Sequence, residues 1–149
     1  MSRLIINLFM VTIAGLLSYT AVADSGHFAQ SPQLEYFPSL PKVIDNCSGV
    51  YTYDSVPLKS EKFIFVDNLK SVAFIKVNGK EIELKKSKDL VLPGGKKIRA
   101  VYRGSGYKVT LVVRQITQAG VGAANLEATL QVKYGDSSTE YKIHGHAGC

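Results

Sequence analysis

The chain contains no tryptophan, only two cysteines and no sequence motif typical of a catalytic site. It has no Gly-x-Ser-x-Gly elbow and no His-Glu-x-x-His pair, which mark the α/β-hydrolases and many zinc proteases. No stretch keeps a helical period of apolar residues over ten or more positions, which argues against a helix bundle. We therefore expect a binding protein, not an enzyme, and no bound cofactor.

The one long apolar run lies at the amino terminus. Ser2-Arg3 gives a short cationic start, Leu4–Leu17 is almost entirely apolar, and Ala21-Val22-Ala23 fits the cleavage site of a secretory signal peptide. A retained membrane span is the alternative, although such a helix needs about 20 apolar residues. We predict a signal peptide over residues 1–23, cleavage near Ala23, and a periplasmic or secreted protein without a transmembrane segment in the mature chain.

Removal of this segment leaves about 126 residues, the usual size of one domain. The segment carries Arg3 and no acid, so the remainder has 17 basic and 12 acidic side chains and a net charge of about +5. This excess favours an anionic partner. Few exposed aromatic residues alternate with the basic ones, so stacking on single-stranded nucleic acid is not indicated and no nucleic acid partner is expected.

The two cysteines, Cys47 and Cys149, stand near the two ends of the presumed domain. In an oxidising compartment the simplest arrangement is one disulfide between them. It would close a loop of about 100 residues, which the chain-entropy treatment credits with roughly 4–5 kcal/mol. A free or intermolecular thiol at Cys149 and metal ligation are the alternatives.

Residues 24–45 contain Pro32, Pro38 and Pro41 and no sustained period. Each proline biases the residue before it away from helix, so we predict a flexible, extended lead-in. Its apolar residues allow part of it to lie against the domain, either as a tether that covers a sheet edge or as a segment that docks on a partner. The all-β domain is predicted over residues 46–149.

From Cys47 onwards, short runs alternate between apolar and polar residues at spacings near ten residues. The strongest local signal is Asn78-Gly79 within Val72–Leu84, because a type I′ hairpin turn needs positive φ at both central positions. This turn places Lys76 opposite Glu81 as an ion pair and fixes the register of the hairpin. Some eight strands of this kind predict an all-β fold, a small antiparallel β-barrel or sandwich.

Three stretches are interpreted as connections between strands. They are the polar cluster Lys85–Asp89, the three-residue hairpin connection Gly104-Ser105-Gly106, and the Gly/Ala-rich loop Gln118–Ala124. Leu126–Tyr134 then gives the cleanest alternation in the chain, with Tyr134 on the inward face.

Basic residues gather on one predicted face of the Gly-Ser-Gly hairpin. Alternation along its two strands directs Lys97, Arg99, Arg103, Lys108 and Arg114 outward. Such a patch suits the phosphate or carboxylate groups of an anionic envelope polymer or lipid, or an acidic protein. A solvated face that keeps sheet edges from aggregating is the alternative interpretation.

His144 and His146 form the one cluster with typical metal-ligand atoms. Residues two apart in a strand share a face, and Cys149 follows three residues on. A metal site would still need a third ligand, and a disulfide at Cys149 would remove its thiolate. We predict no metal site, and the two histidines are the candidates if one exists.

The segment from Asn46 to about Arg114 resembles the periplasmic and membrane-bound inhibitors of C-type lysozyme. The shared features are Cys47, the Val72–Leu84 hairpin and the sequence Ser105-Gly106-Tyr107. The resemblance implies a small exported antiparallel β-barrel with a cysteine before the first core strand and another near the end. It also implies a protein partner, a lysozyme-like cell-wall hydrolase.

In that family a Ser-Gly-x-x-Tyr loop enters the lysozyme cleft, so the resemblance implies that Ser105 and Tyr107 bind the partner. Here the tyrosine directly follows the glycine. The family's second element, an aromatic residue followed by Lys-Gly, has an incomplete counterpart in Tyr141–Gly145. C-type lysozymes are commonly basic, so a basic domain would offer them no electrostatic steering.

Overall fold

The computed structural model describes residues 31–44, 47–91 and 98–149, with only the backbone described for residues 90, 91, 98 and 99. Eight strands make up most of this part of the chain. They are β1 (Ser48–Tyr53), β2 (Phe65–Asp67), β3 (Val72–Val77), β4 (Lys80–Val91), β5 (Ile98–Gly104), β6 (Tyr107–Gly120), β7 (Ala123–Tyr134) and β8 (Ser137–Gly148). Within the described residues the helical content is a 3₁₀ turn, Leu58–Ser60, which is far too short to cross a membrane.

The strands form a closed antiparallel barrel in which each strand pairs with its neighbours in sequence. The barrel closes where β1 pairs with β8 over six positions, from Ser48 opposite Gly148 to Tyr53 opposite Ile143. Cys47 and Cys149 form the predicted disulfide beside this seam, across 102 residues of sequence. The all-β prediction is confirmed, and of the two architectures considered the chain adopts the barrel.

The two ends of the barrel differ in what closes them. The disulfide end holds the Cys47–Cys149 bond and the Val121-Gly122 turn between β6 and β7. The opposite end, which we name the capped end, holds the turns Asn78-Gly79, Ser105-Gly106 and Gly135-Asp136. Residues 32–37 of the lead-in run across this capped end, where Glu35 accepts the Gly79 N–H and the Leu34 carbonyl accepts the Tyr53 hydroxyl proton.

The hairpin at Asn78-Gly79 forms as predicted. Both residues have positive φ, 51° and 73°, as a type I′ turn requires. Lys76 lies opposite Glu81, which confirms the register. However, the ion pair that Lys76 makes is with Glu35 of the lead-in, 4.0 Å away. The hairpin therefore serves as an anchor for the lead-in as well as a piece of the barrel wall.

The polar cluster Lys85–Asp89 was expected to be a turn, and this interpretation is wrong. The cluster continues β4, which passes through a β-bulge between Lys86 and Lys88 while it stays paired with β5. The hydroxyl of Ser87 donates to the Val101 carbonyl across this bulge at 3.0 Å. Cross-strand hydrogen bonds thus extend the strand through a sequence whose side chains alone favour a turn.

The other two predicted connections also differ from the structure. Gln118–Ala124 is a hairpin, since β6 and β7 stay paired as far as Gly120 and Ala123 around a two-residue turn. The connection at Gly104-Ser105-Gly106 is a two-residue turn as well, because Gly104 pairs with Tyr107. Ser105 and Gly106 supply the positive φ values of 48° and 81° that such a turn needs.

Inward-facing apolar side chains fill the barrel, as the alternating pattern predicts. From β3 to β8 they include Ala73, Ile75, Val77, Leu84, Ala100, Tyr102, Val109, Leu111, Val113, Leu126, Ala128, Leu130, Val132 and Ile143, all buried. Tyr134 departs from the expectation: it lies at the rim of the capped end and is 48 % exposed. A strand that ends at a barrel mouth leaves its last inward residue without a layer of side chains above it.

Residues 31–44 of the lead-in have no regular secondary structure, but backbone and side-chain hydrogen bonds fix them to the barrel. Glu35 N–H donates to the Lys76 carbonyl at 2.9 Å, and the Tyr53 hydroxyl donates to the Leu34 carbonyl at 2.8 Å. The Leu34 side chain is 4 % exposed and belongs to the interior cluster of the barrel. Phe37 packs outside the wall, in a second cluster with Val66 and Phe74. The lead-in therefore closes one mouth of the barrel and covers part of its outer face.

We predict that Leu34→Ala lowers the free energy of unfolding by about 2–4 kcal/mol, since it removes a buried side chain that fills the mouth. Leu40→Ala in the same segment should cost well under about 1 kcal/mol, because Leu40 is 43 % exposed. Urea unfolding of both variants beside the unchanged protein measures the difference. Equal stabilities of the two variants would show that the lead-in does not plug the barrel.

Candidate functional site

The outer face of the barrel carries four basic residues in a line across four consecutive strands. Lys85 of β4 lies opposite Arg103 of β5, Arg103 lies opposite Lys108 of β6, and Lys108 lies opposite Lys133 of β7. Directly opposite residues in antiparallel strands have their Cβ atoms about 5 Å apart. We name these four residues the cationic row.

The cationic row is open to solvent and makes no ion pair with the described residues. Lys85, Arg103 and Lys133 are exposed and Lys108 is half-buried. Among the described residues the ion pairs are Lys76–Glu35 and Lys86–Asp89, so none involves the row. Like charges directly opposite one another destabilise a sheet. An arrangement of this kind is stabilised when an anion lies across it.

Ser105 and Tyr107 lie at the capped end, directly beside the row. Ser105 is exposed at the tip of the β5–β6 turn. The ring of Tyr107 is half-buried and stacks on the ring of Tyr134 with centroids 4.5 Å apart and planes 30° from parallel. Burial raises the pKa of the Tyr107 hydroxyl, and the neighbouring Tyr134 raises it further. The Tyr107 hydroxyl therefore stays neutral, and the stacked pair presents apolar ring faces at the mouth of the barrel.

The structure brings together only part of the predicted basic patch. Arg103 and Lys108 are adjacent, whereas Arg114 lies six residues farther along β6, about 20 Å from Lys108 along the strand. The Nε–H of Arg114 donates to the Thr129 hydroxyl at 2.6 Å, which holds this side chain against β7. Lys97 lies outside the described residues, and so does the side chain of Arg99, whose backbone pairs with Val112 in β5–β6.

Lys133 and Lys85 complete the row, and sequence reasoning did not place them in it. Lys133 belongs to a strand whose register depends on two bulges in β6, between Val113 and Gln115 and between Gln118 and Gly120. Each bulge shifts the pairing by one residue. The sequence does show that Lys133 points outward near the end of β7. It does not show that Lys133 lies opposite Lys108, because that pairing depends on the register.

The two histidines, the candidate metal ligands, lie on β8, and each ring contacts a different polar group. His144 Nε2 lies 2.6 Å from the Val56 carbonyl, so this nitrogen carries the proton and donates. His146 Nδ1 lies 3.1 Å from Oδ1 of Asn125. Within the described chain no three His, Cys, Asp or Glu side chains are placed to hold one metal ion. Cys149, the third residue considered, is committed to the disulfide.

One carboxyl group, that of Asp67, is buried inside the barrel near the disulfide end, with 1 % of its surface exposed. Its Oδ1 accepts the Leu69 N–H at 2.7 Å, and the Tyr102 hydroxyl lies 3.5 Å from Oδ2. Burial raises the pKa of Asp67 to about 6, although the Leu69 hydrogen bond and the nearby Lys86 ammonium both favour the carboxylate.

A carboxyl group with a pKa near neutrality is suited to acid–base chemistry. Asp67 nevertheless lies near the hydroxyls of Tyr51 and Tyr102, and with 1 % of its surface exposed it has no accessible face for a substrate. Burial of the two tyrosines raises the pKa of both hydroxyls, and the nearby negative charge of Asp67 raises it further, so both hydroxyls stay protonated. We assign Asp67 to the structure of the barrel and not to catalysis.

The fold and the rim together define a small disulfide-closed β-barrel with an exposed cationic row and a tyrosine pair beside it. The chain matches no protein-family model, and no significant match to it was found among curated proteins or solved structures. The function therefore has to be inferred from the cationic row and the tyrosine pair themselves.

We predict that the pH dependence of stability reports on Asp67. The pKa of this carboxyl is about 6 in the folded protein and 3.8 in an unperturbed chain. Between pH 3.8 and pH 6 the folded protein therefore binds more protons at this group than the unfolded chain does. Stability should then fall by up to about 3 kcal/mol as the pH rises from about 4 to about 7. Asp67→Asn, which keeps the shape and an acceptor for Leu69, should remove this component.

Urea unfolding of the unchanged protein and the Asn variant at several pH values measures this difference. Asp136→Asn makes the same chemical change at an exposed turn and serves as the control. A stability difference between Asp67→Asn and the unchanged protein that stays constant from pH 4 to pH 7 would contradict the assignment.

Proposed function

We propose that this protein is an exported binding protein that holds an anionic component of the cell envelope, polymer or lipid, on its cationic row. The observation that carries the proposal is the direct cross-strand opposition of Lys85, Arg103, Lys108 and Lys133 without an acidic partner among the described residues. The proposed place of action is the periplasm or the exterior, after cleavage near Ala23. The disulfide is compatible with such an oxidising compartment.

The chemistry of the row suits phosphate and carboxylate groups. Arg103 offers a planar fork of donors and can bind two oxygens of one group, whereas the lysines act as mobile point charges. Four basic residues whose Cβ atoms lie about 5 Å apart across the sheet match a ligand with several charges in series better than a single ion. The row is curved with the barrel wall, so a flexible polymer or the headgroups of several lipids can follow it.

The acidic residues of the same outer face limit the site to the row. Glu83 precedes Lys85 by two residues on β4, and Glu140 follows Ser138, the partner of Lys133, by two residues on β8. Residues two apart in a strand share a face. A carboxylate thus stands near each end of the row. The next residues on the same rung, Val72 of β3 and Ser138 of β8, are uncharged, so the row ends after four cations.

We predict salt-sensitive binding of inorganic polyphosphate and of vesicles that contain phosphatidylglycerol. The affinity should fall steeply as the salt concentration is raised above about 0.1 M, where exposed charges are screened beyond about 10 Å. Arg103→Glu should weaken binding about tenfold or more, since it reverses a charge inside the row. Lys142→Glu, the same charge reversal at an exposed site of β8 outside the row, should have about a twofold effect at most.

Isothermal titration at several salt concentrations, with the two variants, measures these affinities. The polyphosphate and vesicle arms separate a polymer from a lipid surface as the source of the anionic groups. Binding that ignores ionic strength, or equal losses in the two variants, would reject the cationic row as the binding surface.

A second candidate function is inhibition of a lysozyme-like cell-wall hydrolase. The observation that favours it is the position of Ser105, exposed on a tight two-residue turn that projects from the capped end, with Tyr107 immediately after the turn. Both strands of this hairpin are paired on each side, so the tip is held by a rigid wall. A rigid projecting turn is the kind of element that can enter an enzyme cleft without loss of much conformational entropy.

For this candidate we expect the purified protein to slow the lysis of cell walls by a C-type lysozyme. Ser105→Arg and Tyr107→Ala should each relieve the inhibition, because the first enlarges the tip of the turn and the second removes its neighbouring ring. Asp136→Ala at the adjacent β7–β8 turn is the matched control and should leave inhibition unchanged. Absence of inhibition against several lysozymes would eliminate this candidate and leave the anion-binding proposal standing.

A further inference from the structure

A pocket of about 260 Å³ opens at the capped end, between the lead-in and the stacked tyrosine pair. Tyr107 and Tyr134 form one wall, Pro32 lies on the lead-in side, and the side chains of Gln33 and Asn78 lie at its edge. Pockets for drug-sized ligands start at about 300 Å³, so this one suits a single ring of atoms. We name it the tyrosine pocket.

The polar groups at this pocket are free to bind a ligand. Within the described residues, the side-chain amides of Gln33 and Asn78 make no hydrogen bond to the protein. Each amide offers an acceptor oxygen and two N–H donors. Paired donors and acceptors of this kind match the neighbouring hydroxyl groups of a sugar ring, each of which donates and accepts.

The aromatic wall suits the other side of the same ligand. A pyranose ring presents a face of C–H bonds, which packs against the face or edge of an aromatic ring. Tyr134 is 48 % exposed although its ring is stacked on Tyr107, so a large apolar surface is held in a fixed orientation at the pocket. Because stacking on Tyr107 restricts the orientations of the Tyr134 ring, less entropy is lost when a ligand binds to it.

The tyrosine pocket is continuous with the cationic row. Tyr107 pairs with Tyr134, and on the next rung of the same two strands Lys108 pairs with Lys133. Successive residues of a strand are only about 3.3 Å apart along its axis, and they point to opposite sides of the wall. A ligand chain that passes over the edge of the capped end therefore contacts the tyrosine rings at the mouth of the barrel and the lysines on its outer face.

We infer that the ligand of the cationic row is an anionic glycan, one of whose pyranose rings occupies the tyrosine pocket while its acidic groups lie on the row. This inference rests on the proposed anion binding and narrows it to a class of ligand. The row alone accepts any polyanion, whereas the pocket adds recognition of a sugar ring. The acidic groups can be carboxylates of uronic acids or phosphates attached to sugars, and both present the same charge to the row.

Binding measurements with three probes at one ionic strength test the inference. The probes are an alginate oligomer, which has uronate rings, a phosphorylated oligomannose, and inorganic polyphosphate, which has charge and no sugar. Both glycans should bind about tenfold tighter than polyphosphate of equal charge. The two glycan arms distinguish carboxylate from phosphate as the acidic group.

The variants separate the pocket from the row. Tyr134→Ala should weaken glycan binding about tenfold and leave polyphosphate binding unchanged, while Tyr134→Phe should retain glycan binding, because only the ring face is needed. Tyr36→Ala, which removes a tyrosine that is 38 % exposed outside the pocket, is the matched control and should change neither. Thermal unfolding of each variant, with a melting temperature close to that of the unchanged protein, shows that the fold is intact.

Saturation-transfer NMR on the bound alginate oligomer gives a second readout. Signal transferred to the C–H protons of one terminal or internal ring, lost in Tyr134→Ala, supports the inference. Polyphosphate binding equal to glycan binding, with no effect of Tyr134→Ala on either, overturns the sugar-ring inference and leaves the anion-binding proposal intact. Absence of binding to all three probes overturns both.

Discussion

The closure of the barrel between β1 and β8 is the constraint on which the rest of the molecule depends. Six rungs of pairing join the first strand to the last, and the Cys47–Cys149 disulfide lies beside this seam. Closure gives every strand two partners and leaves no free sheet edge along the paired segments. The disulfide also restricts the conformations of the unfolded chain. For a loop of this length the chain-entropy treatment credits it with roughly 4–5 kcal/mol of stability.

Because the barrel is closed, the register of each strand fixes which outer side chains stand in line. The cationic row exists because β4 to β7 bring one basic residue each to the same rung. One rung nearer the capped end, the same register pairs Tyr107 with Tyr134. The proposed site is therefore a property of the sheet as a whole, and no single hairpin contains it. The lead-in contributes by closing the mouth and forming the far wall of the tyrosine pocket.

Local patterns were sufficient to predict the Asn78-Gly79 hairpin, the inward faces of the strands and the disulfide. Each of these depends on residues close in sequence, or on the presence of only two cysteines. The cationic row could not be predicted in full, because the bulge at Lys86–Lys88 and the two bulges of β6 shift the register by one residue each. Bulges depend on cross-strand hydrogen bonding, which the alternation of side chains does not reveal. Tyr134 was placed inward by the same alternation, and only its position at the barrel mouth leaves it exposed.

Local sequence patterns could not predict the contacts of the lead-in and of Asp67 either, because these contacts join residues that are far apart in the sequence. The Leu34 carbonyl accepts a hydrogen bond from the Tyr53 hydroxyl, and the Leu34 side chain enters the core. Asp67 lies near Tyr102. Both sets of contacts therefore depend on residues distant in the chain. The prolines of the lead-in predict an extended backbone but not the surface it covers. A turn-forming Asp at the end of a short strand likewise gives no sign that its carboxyl group is enclosed.

The most direct test of the cationic row is a map of backbone amide shifts in the isotope-labelled protein during titration with inorganic polyphosphate. The row predicts that the largest shifts occur at Lys85, Arg103, Lys108 and Lys133 and that they diminish as salt is added. Residues at the disulfide end, such as Val121 and Gly122, should remain unchanged. Shifts concentrated at the disulfide end, or spread evenly over all exposed lysines, would contradict the account.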